Sequence, residues 1–234
     1  MTNGQNAQDV KDYIKSNLNK GGTVYILGGT AAVPEGVGCG LKEFKVKRLS
    51  GATRYETNLE ILKEAGVSDE EILVCTGKNF ADSLSGSAAK RPILLVSSSL
   101  SAKQKSYLSS LSGDKFYILG GKAAVSSSVE AAISNYGTVH RIGGATRFET
   151  SVMIAETFFD SPKSLVLAYS NNFPDGLCGG PLAMNMDAPL ILTCTGKEAA
   201  AKAYAESNGI HKGAVLGGNI LIDDTAAGNI FGRF

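Results

Sequence analysis

The stretch RLSGATRYET, residues 48–57, returns as RIGGATRFET at residues 141–150. Subtracting Arg54 from Arg147 gives 93, and subtracting Asp82 from Asp175 gives 93 again, so one register runs through most of the chain. YILGG at 25–29 recurs at 117–121, and VLGG stands at 215–218. Helical solenoids repeat every ~20–50 residues. The longer period here predicts units that are each a small domain. Tandem copies of one domain gain from engaging several sites at once, which favours binding over a single catalytic pocket.

The unit at 48–140 shows what kind of domain. VKRLSG reads as a short strand. Thr53 then opens a helix, with Glu56 at the spacing of a capping box, and Tyr55, Leu59 and Leu62 fall on one helical face. EILVC, PILLV and FYILGG are continuous apolar runs with a β-branched bias, the signature of strands buried on both faces. Between them lie NFADSLSGSAAK, a small-residue helix opened by Asn79, and the polar helix SAKQKSYLSSL. Ser127 and Glu130 repeat the capping-box spacing ahead of VEAAI. Alternating strands and helices with apolar strands predict α/β modules, each a small, mostly parallel sheet with helices on both faces.

The unit at 141–234 follows the same order, with four extra residues before PLILT: Pro189 minus Pro92 is 97, against 93 elsewhere. These extra residues predict a second helix about one turn longer. Residues 1–47 match only the second half of a unit: a helix, the strand TVYILGG and a closing helix. The expected organisation is thus a partial module at 1–47 and complete modules at 48–140 and 141–234. A half-sheet leaves strand edges unpaired, so either the natural chain extends upstream of Met1, as expected, or residues 1–47 add to a neighbouring sheet as a permanent appendage.

Composition narrows the function. Of 234 residues, 43% are hydrophobic and 19% charged, as in a packed globular protein. A net charge of +1 provides no broad basic face for nucleic acid or a membrane surface. No apolar run has the length of a membrane span. The four cysteines form neither a CxxC nor a metal-ligand spacing and read as buried free thiols. The only histidines, His140 and His211, are not equivalent between repeats, which argues against a His-dependent triad or a His-rich metal site. No GxSxG elbow occurs, and no cofactor motif is recognisable.

Ligands of parallel α/β sheets gather beyond the carboxyl ends of the strands. Three repeated features fall there. Arg54 and Arg147 take the first helical position, where a cation opposes the helix dipole and calls for an anion. That anion is either an internal carboxylate (Asp82, Asp175, Glu56 or Glu149) or a phosphate or carboxylate on a ligand. Thr53 and Thr146 are capping residues, with Glu56 and Glu149 completing the caps. Asp82 and Asp175 stand near a helix start as capping or salt-bridging groups, and no base or nucleophile repeats beside them. The LGG turn permits close backbone approach but fits no nucleotide-binding pattern.

RLSGATRYET, NFADSLSG, PILLV and YILGGKAAVSSSVE, in that order, resemble the cell-wall-binding repeat 2 family. Residues 141–234 resemble a second copy, and residues 20–47 the end of an earlier one. The resemblance implies tandem Rossmann- or Toprim-like modules on secreted Gram-positive surface proteins, packed about a pseudo-threefold axis. It implies non-covalent anchoring to an anionic wall polymer such as a teichoic acid, often beside a separate amidase or protease domain. It associates anchoring with the PILL segment, here Pro92, Ile93, Leu94 and Leu95, and Pro189, Leu190, Ile191 and Leu192. Arg54 and Arg147 match the family's arginine. With two complete copies, a threefold arrangement does not close within this chain, which leaves homo-oligomerisation or a missing half-module.

The expectation is therefore a non-enzymatic wall-anchoring module at the cell surface. Its partner is an anionic polymer, without cofactor, metal, nucleic acid or membrane. Two alternatives stand beside it: a protein–protein assembly array, and a phosphate- or nucleotide-binding α/β enzyme.

Overall fold

The strings ILVCT and LILT bury every one of their residues as strands, and LVLAY all but its last. Strands this apolar need cover on both faces, and the chain supplies it with helices. The computed structural model describes residues 6–69, 71–113 and 115–232, which fall into two compact units, Met1–Val67 and Ser68–Phe234. Every strand pair among the described residues is parallel.

The first unit contains α1 (Ala7–Asn17), β1 (Thr23–Leu27), β2 (Lys45–Leu49) and α2 (Arg54–Glu64). β1 pairs with β2 from Thr23↔Lys45 to Leu27↔Leu49. The closing helix expected after YILGG is only a 3₁₀ turn, Glu35–Val37. Gly36, Gly38 and Gly40 crowd this stretch, and each costs about 1 kcal/mol of helix propensity.

The second unit runs β3 (Ile72–Thr76), α3 (Ala81–Gly86), β4 (Ile93–Val96), α4 (Ala102–Ser109), β5 (Lys115–Leu119), α5 (Ser127–Ile133), β6 (Thr138–Ile142) and α6 (Arg147–Phe158). It continues with β7 (Leu165–Tyr169), α7 (Gly179–Met186), β8 (Leu190–Thr193), α8 (Ala199–Ser207), β9 (Gly213–Leu216) and α9 (Asp224–Phe231). The strands form two sheets, ordered β4-β3-β5-β6 and β8-β7-β9. The strand that opens each sequence repeat therefore completes the sheet before it. β2 pairs with β1, and β6 with β5. Positions 48 and 141 mark where the sequence repeats, but both lie inside strands, β2 and β6, that belong to the preceding sheet.

α6 is buried on two sides. Ile154 joins Leu73, Cys75, Leu119 and Ile142 in the first sheet's core, while the neighbouring Ala155 joins Leu165, Leu167 and Ile191 in the second's. The Ser151 hydroxyl also accepts the Leu192 N–H of β8 at 3.2 Å. α3 and the 3₁₀ turn that follows it, Ser87–Ala89, also pack across to the second sheet. Ala81, Leu84 and Ala88 pack on Val166, Ala168 and Leu190 of the second sheet.

The four-residue insertion does not lengthen α7 as expected. α3 and the 3₁₀ turn Ser87–Ala89 together span 81–89, whereas α7 begins only at Gly179. The extra residues extend the turn ahead of the helix. Thiol burial is also less complete than expected: Cys75 is buried, but Cys39 and Cys178 are exposed.

Candidate functional site

Both GATR segments make the caps read from sequence. The Thr53 hydroxyl accepts the Glu56 N–H at 3.3 Å, and the Glu56 carboxylate reaches back to the Ala52 N–H at 2.9 Å. Thr146 and Glu149 repeat this at 3.2 and 2.7 Å. Arg54 and Arg147 thereby become the first residues of α2 and α6. At the later cap the residue is Ser126, which accepts from Val129, and not Ser127.

In the second unit this cap borders a cavity of about 550 Å³ beyond the carboxyl ends of β3, β4, β5 and β6. β4 lies on one side of β3 and β5 on the other, so the cavity sits where the winding of the sheet reverses, the general place for ligands in open α/β sheets. Its lining includes Lys78, Asp82, Ser97, Ser98, Gly121 and Arg147.

Asp82 does not cap α3. That task falls to Asn79, whose Oδ1 accepts the N–H groups of Phe80 and Ala81 at 2.7 and 3.3 Å. Burial pushes the Asp82 carboxyl up to about 6, against the opposing pull of the Arg147 guanidinium. Arg147 itself donates to the Ser170 carbonyl and lies over the Phe80 ring, 5.9 Å from its centroid. Phe80 in turn meets Phe173, its counterpart in the next repeat, at 5.6 Å between centroids. The anion facing Arg147 is therefore the aspartate of the preceding repeat.

The remaining sequence-derived candidates fall elsewhere. Asp175 lies in the turn before α7, exposed and without a side-chain capping bond among the described residues. Arg54 is exposed in the first unit. The PILL segments are core strands: Leu94 is 0% exposed, and Leu190, Ile191 and Leu192 are at most 1% exposed. Pro92, Ile93 and Leu95 are half-buried, and Pro189 is buried. The first segment thus keeps partial exposure at Pro92, Ile93 and Leu95, whereas the second is enclosed in the core. What the PILL strand β4 does contribute is its end, which delivers Ser97 and Ser98 to the cavity.

Sequence reading passed over Arg48 and Arg141, which obey the same period of 93. Arg141 donates to the carbonyls of Gly120 and Val125 and pairs with Glu130 at 2.8 Å, holding that carboxyl below its ordinary range. Arg48 donates to the Gly28 carbonyl at 2.6 Å. These arginines clamp the LGG turns, and their recurrence beside GATR was the available signal. Among the described residues, no cluster of three or more His, Cys, Asp or Glu could hold a metal, and no helix is long and apolar enough to cross a membrane.

Comparison with known proteins gives this arrangement its family. A family model described as "Cell wall binding domain 2 (CWB2)" matches residues 48–130 and again 141–227. The chain is 32% identical over 174 residues to an amidase enhancer of Bacillus subtilis, covering 72% of this chain and 24% of that protein. It is 28% identical over 194 residues to the N-acetylmuramoyl-L-alanine amidase LytC of the same organism, covering 79% of this chain and 38% of that one. Among solved structures it superposes on Cwp6 from Clostridium difficile with a TM-score of 0.79 at 24% identity, over 95% of this chain and 38% of the other. For Cwp8 from the same species the TM-score is 0.75, at 24% identity over 91% of this chain. The chain therefore spans well under half the length of these relatives, and the solved structures speak to the fold alone. The chain belongs to the cell wall binding domain 2 family and carries two of its repeats.

Proposed function

We propose that the chain anchors a surface protein non-covalently to the cell wall by binding an anionic wall polymer, with repeats 48–140 and 141–234 as the binding modules. The observation that carries this reading is the pair of matched repeats, each opening a helix on an arginine. A polymer that repeats its anionic groups suits a protein that repeats its cations. Each charge-assisted hydrogen bond contributes about 1.5–3 kcal/mol, and linking two weak sites raises avidity about 10²–10⁴-fold. The PILL strands support the binding loops from below, and the end of β4 brings Ser97 and Ser98 to the cavity. The module works without catalysis, at the surface of a Gram-positive cell.

One observation favours a second reading, an assembly array: Arg147 already spends a hydrogen bond on Ser170 and lies beside Asp82. Co-sedimentation with purified Gram-positive walls separates the two. Anchoring predicts retention that falls when the anionic polymer is stripped and that weakens with salt. It also predicts that Arg54→Ala with Arg147→Ala loses far more retention than either change alone. Undiminished retention by the folded double variant would refute the arginine assignment, and indifference to stripping favours assembly.

A further inference from the structure

We propose that the cavity beyond β3–β6 is a subsite for one glycosyl unit of an anionic glycan, a hydroxylated ring bearing a phosphate or carboxylate, built jointly by the two repeats. This rests on the wall-polymer reading above and locates it.

The argument comes from which polar groups the fold has already used. The Thr76 hydroxyl accepts the Lys78 N–H at 3.2 Å. The Thr146 hydroxyl is occupied by its cap, and Thr150 accepts from Gly144 while donating to the Thr146 carbonyl. Ser126 accepts from Val129. These groups hold the walls in place. Three others on the same lining, the hydroxyls of Ser97 and Ser98 and the Lys78 ammonium, make no side-chain hydrogen bond or ion pair among the described residues, and the Asp82 carboxyl faces the Arg147 guanidinium without a hydrogen bond to it. Asn79 spends its Oδ1 on the backbone and keeps its NH₂ for other use.

A carboxyl, two hydroxyls and an amide NH₂ converging on one space match a ligand dense in hydroxyl groups. Two cations from different segments, Lys78 and Arg147, add a preference for an anionic substituent. The volume of about 550 Å³ lies in the ordinary range for small-ligand sites. Burial raises the Asp82 carboxyl only to about 6, so near pH 7 it is mainly a carboxylate that accepts from ring hydroxyls. Neither repeat makes this site alone: Lys78, Asp82, Ser97 and Ser98 come from the first, and Arg147 from the second.

Titration calorimetry of the intact chain with glucose 1-phosphate, glucose and inorganic phosphate tests the assignment. Glucose 1-phosphate is expected to bind saturably at one site, at least about tenfold more tightly than either fragment. Asp82→Asn and the pair Ser97→Ala with Ser98→Ala should each weaken it about five- to tenfold. Lys90→Ala, which removes a cation outside the cavity, should not change it. Amide resonances of Ser97, Ser98 and Gly121 should shift on binding. Absence of saturable binding to the folded chain overturns the proposal, as does equal binding of phosphate alone that ignores Asp82→Asn. Wall co-sedimentation of the same samples keeps the two readings apart. Retention without glucose 1-phosphate binding rejects the cavity and leaves anchoring standing, whereas lack of retention rejects anchoring whatever the titration gives.

Discussion

Asp82 and Asp175 occupy the same place in the repeat and have different surroundings. Asp82 lies in the first turn of α3, with its Oδ2 only 2.4 Å from where a Cβ on Gly120 would stand, and with Arg147 beside it. Asp175 lies in an extended turn, exposed, with its Oδ2 3.7 Å from the corresponding point on Gly217. Two causes separate them. The four-residue insertion moves the start of α7 past Asp175, and α6, which covers the Asp82 site, has no counterpart over Asp175 among the described residues. Among the described residues the equivalent motifs FADSL and FPDGL thus stand in one closed site and one open one, and at Asp82 the closure comes from the next repeat's helix and not from the motif.

The largest test of this contrast uses the helices themselves. Ile154 of α6 and Ile61 of α2 are equivalent in the repeat, 93 residues apart. Ile154 is 1% exposed between two sheets, whereas Ile61 is half-buried. Ile154→Ala should cost about 2–5 kcal/mol of unfolding free energy, through lost burial and the cavity left behind. Ile61→Ala should cost clearly less. Equal losses in urea unfolding would show that α6 is not the shared element described here.

The turn glycines come next. Gly120 and Gly217 both adopt positive φ, +102° and +132°, so alanine is strained at either. At Gly120 the added methyl also meets the Asp82 carboxylate at 2.4 Å, whereas at Gly217 the nearest atoms are 3.7 Å away. Backbone strain alone costs about 1–3 kcal/mol, and Gly120→Ala should exceed Gly217→Ala by about 1 kcal/mol or more in thermal unfolding. If Asp82→Ala is introduced first, the difference between the two glycine changes should shrink to what the remaining Ala124 Cβ contact at 3.0 Å imposes.

Much of this was legible in the sequence, and the remainder fails for a physical reason. The strands and the Thr53 and Thr146 caps follow from patterns within about ten residues of one another, and the period follows from motifs that match 93 residues apart. What could not be read was which repeat supplies each partner. The pairing of Asp82 with Arg147 crosses from one repeat to the next, so a search within each unit for the compensating anion left several carboxylates open. The sheets are offset from the repeats for the same reason: a strand's hydrophobicity does not say which neighbour it joins. Burial of the PILL strands was visible in their apolar run, whereas the partial exposure of Ile93 and Leu95 at the sheet edge was not. The place of the insertion was also ambiguous, because a longer helix and a longer turn use the same four residues.

The smallest effect is the most diagnostic of the closed site, because it changes sign with environment and not with size. The Asp82 carboxyl is raised by burial to about 6 from an ordinary 3.8. Between those values the native protein holds a proton that the unfolded chain has released. Stability therefore falls as pH rises through this window and levels off above about 6. The charged groups facing Asp82 are Arg147 from α6, whose pull opposes the shift, and Lys78 across the cavity. Cys75 of β3, its thiol pushed up by its own burial, stays neutral there. Asp82→Asn removes the charge and keeps the shape, so it should raise the melting temperature at pH 7 and lose that gain near pH 4.5. The exposed Asp175→Asn should stay within about 0.5 kcal/mol of the parent at both pH values. If Asp82→Asn is instead destabilising at pH 7, the attraction of Arg147 outweighs burial and the pair is a structural salt bridge. A gain confined to neutral pH means that the fold keeps a carboxylate there at a cost, as expected of a group retained to meet a ligand.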